Sequence, residues 1–287
     1  MNIEWLNSTN KGTALLKLIH QFQDDTLFVD GCLHWFFDRS LIDRLKTNPP
    51  NMKSEPKDET EHFQQIAYWY VILREKYGDE VIESSIATGC KQLLLLGSGY
   101  DTRFFRLASI RDNSVKTFEV DLPETIDDKK KCLLAQIGQI PQELSLIPGN
   151  FNLDQLDNIF AHGFNRKIPT IYIWQGVSYY LEKEIVSNML DWIEDIMTPS
   201  SVFVFDCCSP LMTFKNHAIP GIHSNIDRLV EIGEPYRFGM YADEMESWLR
   251  EKGFQNIEVL QQGDLEETFL RRRTLPDRMW YVVTAKT

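Results

Sequence analysis

The segment KQLLLLGSGYDTRFFRL, residues 91–107, sets the strongest limit on the architecture of this chain. An apolar run ends at Leu96, and Gly97 and Gly99 follow before the sequence becomes charged. Glycine adopts backbone conformations that other residues avoid, and it lets a ligand approach the main chain closely. A buried strand that ends in such a turn is typical of doubly wound α/β sheets, whose ligands bind outside the carboxyl ends of the strands.

Apolar runs alternate with helix-like segments from the glycine turn to the end of the chain. The runs cover residues 92–96, 115–120, 144–148, 169–174, 201–206, 256–260 and 279–284, and the helix-like segments include 124–137, 182–196 and 241–252. This alternation predicts a mostly parallel sheet with helices on both faces. The 287 residues are enough for one large α/β domain or two small ones.

Two regions fall outside this alternation. Apolar residues at helical spacing predict helices before a proline-rich linker at 47–59, and a long helix after it. Residues 209–240 show little periodicity, which predicts a loop or cap inserted over the sheet. We therefore expect an N-terminal helical lid over residues 1–60 and a second domain over residues 61–287 that carries the cap.

Composition excludes several classes of partner. The formal net charge of -12 disfavours nucleic acid, because phosphate backbones select clustered lysine and arginine. The five cysteines include no CxxC pair, so neither a disulfide framework nor a zinc site is expected. No apolar run approaches the ~20 residues that span a bilayer. The sequence thus predicts a cytoplasmic protein without a metal and without a membrane or nucleic-acid partner.

The glycine turn has an acidic partner further along the chain. A nucleotide site needs an acid about 20 residues after the glycines to hold the ribose hydroxyls, and Glu119 and Asp121 lie at this distance. Phe104 or Phe105 stands where the dinucleotide motif has its third glycine, which disfavours NAD. Asp101 at the start of the next helix would repel a pyrophosphate and tolerate a cation. These features favour a cationic mononucleoside such as S-adenosylmethionine.

The segments LLLLGSGYDTRFFRL and FEVDLPETIDDKK resemble the leucine carboxyl methyltransferase family. The pattern in that family is an apolar strand, Gly-x-Gly-x-Asp-Thr-Arg, an aromatic residue and Arg-Leu, followed by Glu-Val-Asp-x-Pro and a lysine. IYIWQGVSYYL and GEPYRFG resemble two further segments, so the resemblance covers roughly residues 65–285. It implies an α/β fold, the seven-stranded class I methyltransferase form of the doubly wound, Rossmann-like sheet, with S-adenosylmethionine as co-substrate.

The resemblance also implies roles for individual residues. Arg74 would pair with the carboxylate of the co-substrate, since a guanidinium forks onto a carboxylate through two hydrogen bonds. Gly97 and Gly99 would pass under its methionine portion. Asp121 would accept from the ribose hydroxyls in preference to Glu119, which points to the other side of the strand.

Two positions depart from the family pattern. Asn150 stands where the family has an aspartate beside the adenine, and Phe151 would lie against the adenine face. Gln175 replaces a glutamate, which keeps an acceptor for the co-substrate and loses a charge. Tyr180 matches a tyrosine that recurs in the family. It would touch co-substrate or acceptor as the candidate catalytic residue, and core packing is an equal alternative.

The sequence leaves open which chemical group accepts the methyl. A carboxylate acceptor is ionised at neutral pH and needs no base, whereas a hydroxyl benefits from one, for which His217 and His223 are candidates. Aromatic residues in the N-terminal helices and the cap are expected to form a hydrophobic acceptor pocket: Trp35, Phe36, Phe37, Phe214 and Tyr236.

These expectations favour an O-methyltransferase that acts on a carboxylate or hydroxyl of a small hydrophobic metabolite. Three alternatives stay open. The chain could be a carboxyl methyltransferase for a protein C-terminus, a non-catalytic relative that binds the co-substrate, or an NAD-dependent oxidoreductase.

Overall fold

The computed structural model describes residues 8–151 and 156–286. The helices in these residues are α1 (Thr9–His20), α2 (Arg39–Thr47), α3 (Glu59–Ala87), α4 (Arg103–Arg106), α5 (Ala108–Asp112), α6 (Pro123–Ile137), α7 (Asn158–Ala161), α8 (Lys183–Ile196), α9 (Ile222–Glu231), α10 (Ala242–Glu251) and α11 (Gln262–Leu270). The first seven residues of the expected lid, residues 152–155 and the last residue of the second expected domain lie outside the described part.

A single seven-stranded sheet runs through the molecule in the order β3-β2-β1-β4-β5-β7-β6. Its strands are β1 (Gln92–Leu96), β2 (Lys116–Asp121), β3 (Leu144–Pro148), β4 (Thr170–Trp174), β5 (Val202–Cys208), β6 (Gln255–Gln261) and β7 (Trp280–Lys286). β7 is antiparallel to both neighbours, and the other pairs are parallel. The predicted doubly wound α/β fold is confirmed, and each strand lies within two residues of its predicted run.

The leucine run of β1 is explained by burial on both faces of the sheet. Leu93 and Leu95 belong to one hydrophobic core, and Leu94 and Leu96 belong to the other. Successive side chains of a strand point to opposite faces. A central parallel strand therefore needs apolar residues at every position, because helices cover both of its sides.

The long helix predicted after the linker is α3, which has 29 residues. Asp58 precedes it, and the Asp58 carboxylate accepts a hydrogen bond from the backbone N–H of Glu61 at 2.8 Å. Such a cap satisfies a donor that the first helical turn leaves without a partner. None of the helices in the described residues combines the length and apolar character that a bilayer crossing needs.

The cap region 209–240 differs from its prediction. The expectation of a loop is wrong over Ile222–Glu231, where the ten residues of α9 lie. Ile222 and Leu229 are buried on one face of this helix and Ile226 is partly buried there. Their spacing is helical. The segment is short and is flanked by glycines and prolines, so this periodicity did not lead to the prediction of a helix.

Candidate active site

A cavity of about 850 Å³ opens at the carboxyl ends of β1, β2 and β4. The residues predicted to bind the co-substrate and the candidate catalytic tyrosine all line this cavity: Arg74, Gly97, Gly99, Asp101, Asp121, Asn150, Phe151, Gln175 and Tyr180. The sheet brings them together although more than one hundred positions separate the first from the last. Their individual roles toward a ligand stay predictions.

The glycine turn requires glycine for two separate reasons. Gly97 and Gly99 have φ values of +69° and +49°, in the region that L side chains rarely adopt. A Cβ atom on Gly97 would also lie 2.4 Å from Cγ2 of Val177. The turn is held by β2, because the N–H of Gly97 donates to the carbonyl oxygen of Val120 at 2.8 Å.

Asp121 braces the same turn from the end of β2. Its Oδ2 accepts from the N–H of Gly99 at 2.6 Å, and its Oδ1 accepts from the N–H of Leu122 at 2.7 Å. Burial raises the pKa of Asp121. Glu119 instead pairs with Lys129, and both side chains are fully buried. Asp121 is therefore the acid of this pair that faces the cavity.

Arg74 has a protein partner that the sequence did not indicate. Its Nη1 pairs with Asp206 of β5 and also donates to the hydroxyl oxygen of Tyr179 at 2.9 Å. Asp206 in turn accepts from the N–H of Gly176 at 2.6 Å. Because Asp206 lies 132 residues away inside a fully buried strand, only the folded sheet reveals that it orients this guanidinium.

Asp101 belongs to a buried network of charges. Its Oδ2 lies 2.7 Å from Nη1 of Arg103, whose guanidinium also pairs with Asp79 and Glu75, each at 2.9 Å. Burial alone would raise the pKa of Asp101, but Arg103 holds it below its usual value. Asp101 thus stays ionised at the rim of the cavity.

Gln175 links this network to α3. Its Oε1 accepts from Nη2 of Arg103 at 3.0 Å, and its Nε2 donates to the backbone oxygen of Arg74 at 3.1 Å. The neutral amide group of Gln175 makes both hydrogen bonds, because its oxygen accepts one and its nitrogen donates the other. A glutamate could accept from Arg103, but it could not donate to the backbone, which explains how the departure from the family pattern is accommodated.

The predicted N-terminal lid did not include the residues of α1 that line the cavity. One face of this helix lines the cavity with Thr9, Asn10, Thr13, Ala14 and Lys17. Lys17 is buried, and its Nζ lies 3.2 Å from Oε1 of Glu75. The residues of this face recur every three or four positions, which the sequence shows. The sequence does not show that this face of α1 covers the glycine turn.

Asn150 and Phe151 follow β3 on the side of β1 that also carries Asp121. The Phe151 ring lies 6.1 Å from the ring of Trp174, measured between centroids. A Cβ atom on Gly97 would lie 3.5 Å from Phe151. The Phe151 ring therefore lies beside the glycine turn, and its contact with the adenine stays a prediction.

Tyr180 lines the cavity from the segment that follows β4. Its ring packs against Tyr179 and Tyr236, at centroid distances of 4.9 and 5.1 Å. Burial raises the pKa of Tyr180 to about 12, so the phenol is protonated at neutral pH and can donate a hydrogen bond. Nearby, Oε2 of Glu234 accepts from the backbone N–H of Thr9 at 2.8 Å.

The predicted acceptor pocket is wrong in its residues. The lining does not include the aromatic residues Trp35, Phe36, Phe37, Phe214 and Tyr236. Trp35 packs on Phe105 and Phe36 packs on Tyr100, at centroid distances of 5.2 and 5.1 Å.

The two histidines considered as bases also lie outside the cavity lining. The rings of His217 and His223 are 5.4 Å apart, and Nε2 of His223 lies 2.8 Å from the backbone oxygen of Asn216. Among the described residues, no group of three or more acidic, histidine or cysteine side chains could hold a metal ion.

The chain is similar to known proteins in sequence and in fold. A protein of Bacillus subtilis, assigned as an S-adenosyl-L-methionine-dependent methyltransferase, is 27% identical over 83% of this chain and 76% of its own length. A structure from Thermobifida fusca, assigned as a methyltransferase, superposes with a TM-score of 0.56 at 14% identity and covers 99% of both chains. At that identity the structure supports the fold alone.

The family model described as leucine carboxyl methyltransferase matches residues 11–194, which is more than half of the chain. The match begins inside α1, upstream of residue 65, where the resemblance in the sequence analysis begins. It includes the cavity-lining face of α1 from residue 11 onward. The chain therefore belongs to the leucine carboxyl methyltransferase family and is an S-adenosylmethionine-dependent methyltransferase.

Proposed function

We propose that this protein transfers the methyl group of S-adenosylmethionine to an oxygen of a small, mostly apolar molecule, on a carboxylate or a hydroxyl group. The observation that supports the proposal is one cavity whose lining combines residues suited to a nucleoside with residues suited to an acceptor. The nucleoside half is formed by Gly99, Asp121, Asn150 and Phe151, and it lies over β1, β2 and β3. We assign the acceptor to the part of the lining formed by Thr9, Tyr180 and Glu234, which we call the acceptor half.

The residues present fit the co-substrate. The cavity volume of about 850 Å³ lies within the ~300–1,000 Å³ of ordinary ligand pockets. Asp121 would hold the ribose, Phe151 would contact the adenine, and Arg74 would hold the carboxylate. The acidic side of the charge network, with Asp101 and Glu75, suits a ligand that also carries positive charge.

S-adenosylmethionine supplies a methyl carbon that its sulfonium already activates, so the protein needs to align the acceptor and exclude water. Tyr180 supports this role as a hydrogen-bond donor at the acceptor end. Leu181 and Ile185 add apolar surface to the lining, which suits a hydrophobic acceptor.

The position of α1 favours a small acceptor over a protein tail. Its cavity-lining face runs from Asn10, 3.4 Å from the Cβ position of Gly99, to Lys17 beside α3. We infer that α1, within the N-terminal region 1–60, acts as a lid over the second domain. We also propose a cytoplasmic location, since Cys207 and Cys208 are free thiols in β5 and a reducing compartment preserves them.

The test is a turnover screen with purified protein and S-adenosylmethionine. Small alcohols, phenols and carboxylic acids are offered in parallel with a protein phosphatase catalytic subunit. Release of S-adenosylhomocysteine is measured, and mass spectrometry locates the new methyl group. We expect methylation of oxygen on a small molecule. Methylation of the phosphatase alone would favour the protein-tail alternative, and binding without any turnover would favour the non-catalytic one.

A further inference from the structure

Glu234 is a carboxylate of the cavity that the predicted site did not include. It lies in the cap between α9 and α10 and lines the acceptor half. We propose that Glu234 accepts the proton of a hydroxyl acceptor, so that the substrate class is an alcohol or phenol and not a carboxylic acid. This inference rests on the proposed O-methyl transfer and narrows it.

The first argument is that the other acids of the cavity lining are already engaged. Glu75 and Asp101 form buried ion pairs with Arg103. Asp121 accepts two backbone N–H groups. Glu234 accepts one, from Thr9, through Oε2. Among the described residues, its Oε1 has no hydrogen-bond partner, and we assign this oxygen to the acceptor hydroxyl.

The second argument is the charge that a carboxylate acceptor would meet. The cations that line the cavity are each paired with an acid: Lys17 with Glu75, Arg74 with Asp206, and Arg103 with Asp79. A carboxylate acceptor in the acceptor half would face Glu234, and like charges at close range disfavour binding. A hydroxyl would instead donate a hydrogen bond to it.

The groups around Glu234 are consistent with this role. Tyr180 and Tyr236 are neutral phenols beside it, because burial raises the pKa of both. Arg228 on α9 interacts electrostatically with Glu234 without an ion pair among the described residues.

The step balances as follows. The acceptor O–H bond breaks and its proton passes to Oε1 of Glu234. The acceptor oxygen forms a bond to the methyl carbon, the carbon–sulfur bond breaks, and the sulfur retains that electron pair as a neutral thioether. Glu234 then releases its proton to solvent, and no further reactant is needed.

The competing explanation is that Glu234 only fastens α1 to the cap. Glu234→Gln separates the two roles, since a glutamine oxygen can still accept from the N–H of Thr9 but cannot take a proton. Glu231→Gln is the matched control, because Glu231 is exposed at the end of α9. A thermal melt of each variant reports whether the fold is intact.

The probes are p-cresol and p-toluate, which differ in the group that would face Glu234. Protein saturated with S-adenosylhomocysteine is titrated with each probe by calorimetry. We expect p-cresol to bind the wild type at least ~10-fold more tightly, the scale of a charge-assisted hydrogen bond. Glu234→Gln should remove this preference and Glu231→Gln should keep it. With an acceptor that turns over, Glu234→Gln should lower kcat by about 100-fold, the scale of general base catalysis.

Each of the following binding results would overturn the inference: tighter binding of p-toluate, an unchanged preference in Glu234→Gln, binding of neither probe, or a loss of S-adenosylhomocysteine affinity in a folded Glu234→Gln protein. p-Toluate binding that Arg228→Met abolishes would identify Arg228 as an anchor for an acidic acceptor. Methylation of carboxylic acids independent of Glu234 would leave the proposed function standing and sink this inference alone. Failure to bind S-adenosylhomocysteine at all would count against the proposed function itself.

Discussion

Replacement of Arg74 by methionine should weaken binding of the amino-acid end of the co-substrate while the nucleoside end still binds. Arg74 is 6% exposed and lines the cavity. A charge-assisted hydrogen bond contributes ~1.5–3 kcal/mol, so loss of one such pair should raise Kd by about 10- to 150-fold. Methionine keeps much of the apolar stem, which limits the change to the lost charge.

The same substitution also has a structural cost that must be separated from the effect on binding. It leaves Asp206 without its cation, and breaking a buried ion pair costs about 3–5 kcal/mol of stability. Asp206 keeps its hydrogen bonds from Gly176 and from the hydroxyl of Tyr70, at 2.6 and 3.1 Å. We therefore expect a folded variant with a lower free energy of unfolding.

Calorimetric titration with two ligands separates these effects. S-adenosylhomocysteine carries the amino-acid carboxylate, whereas methylthioadenosine lacks it. Arg74→Met should raise Kd for the first ligand and leave Kd for the second close to that of the wild type. Equal losses for both ligands would mean that the substitution distorts the cavity, and no loss for either would show that Arg74 serves Asp206 alone.

Three further predictions concern the nucleoside half, the glycine turn and a buried histidine. Asp121→Ala should weaken the binding of S-adenosylhomocysteine, methylthioadenosine and adenosine by similar factors, measured by calorimetry. Weaker binding of only one of these ligands would contradict the role of Asp121 in holding the ribose. Gly97→Ala should destabilise the protein and abolish co-substrate binding. Gly138 has a similar positive φ, but no atom lies within 4 Å of an added Cβ. Gly138→Ala should therefore lower the free energy of unfolding, measured by denaturant titration, only by the backbone strain. Burial lowers the pKa of His20 from 6.5 to about 4. As the pH falls, the unfolded chain therefore binds a proton at this histidine before the folded protein does. The free energy of unfolding should fall by ~3 kcal/mol as the pH falls from 6.5 to 4. His20→Gln should flatten this part of the profile, and an unchanged slope would contradict the assignment.

The sheet was predictable because its signals are local. β1 contains four consecutive buried leucines, and the glycine turn directly follows it. The antiparallel direction of β7 was not predictable in this way, because an apolar run carries no information about strand direction. The helix at Ile222–Glu231 was missed since only one narrow face of it is buried.

The candidate site was predictable where a motif carries it and not where the fold assembles it. Gly97, Gly99 and Asp121 lie within 25 residues of one another and form one hydrogen-bonded unit. Asp206 orients Arg74 from β5 and Glu234 lines the cavity from the cap, both far along the chain. Their chemistry depends on which neighbours the fold supplies, which a single sequence does not reveal.

The most direct test of the account is calorimetric titration of the purified protein with S-adenosylmethionine and S-adenosylhomocysteine, with NAD as the control and Asp121→Ala as the matched variant. The account predicts micromolar binding of one equivalent of either sulfur ligand, a marked loss of both in the variant, and no heat of binding from NAD. Absence of binding by either ligand, or binding that the variant leaves unchanged, would contradict the assignment of this cavity to the co-substrate.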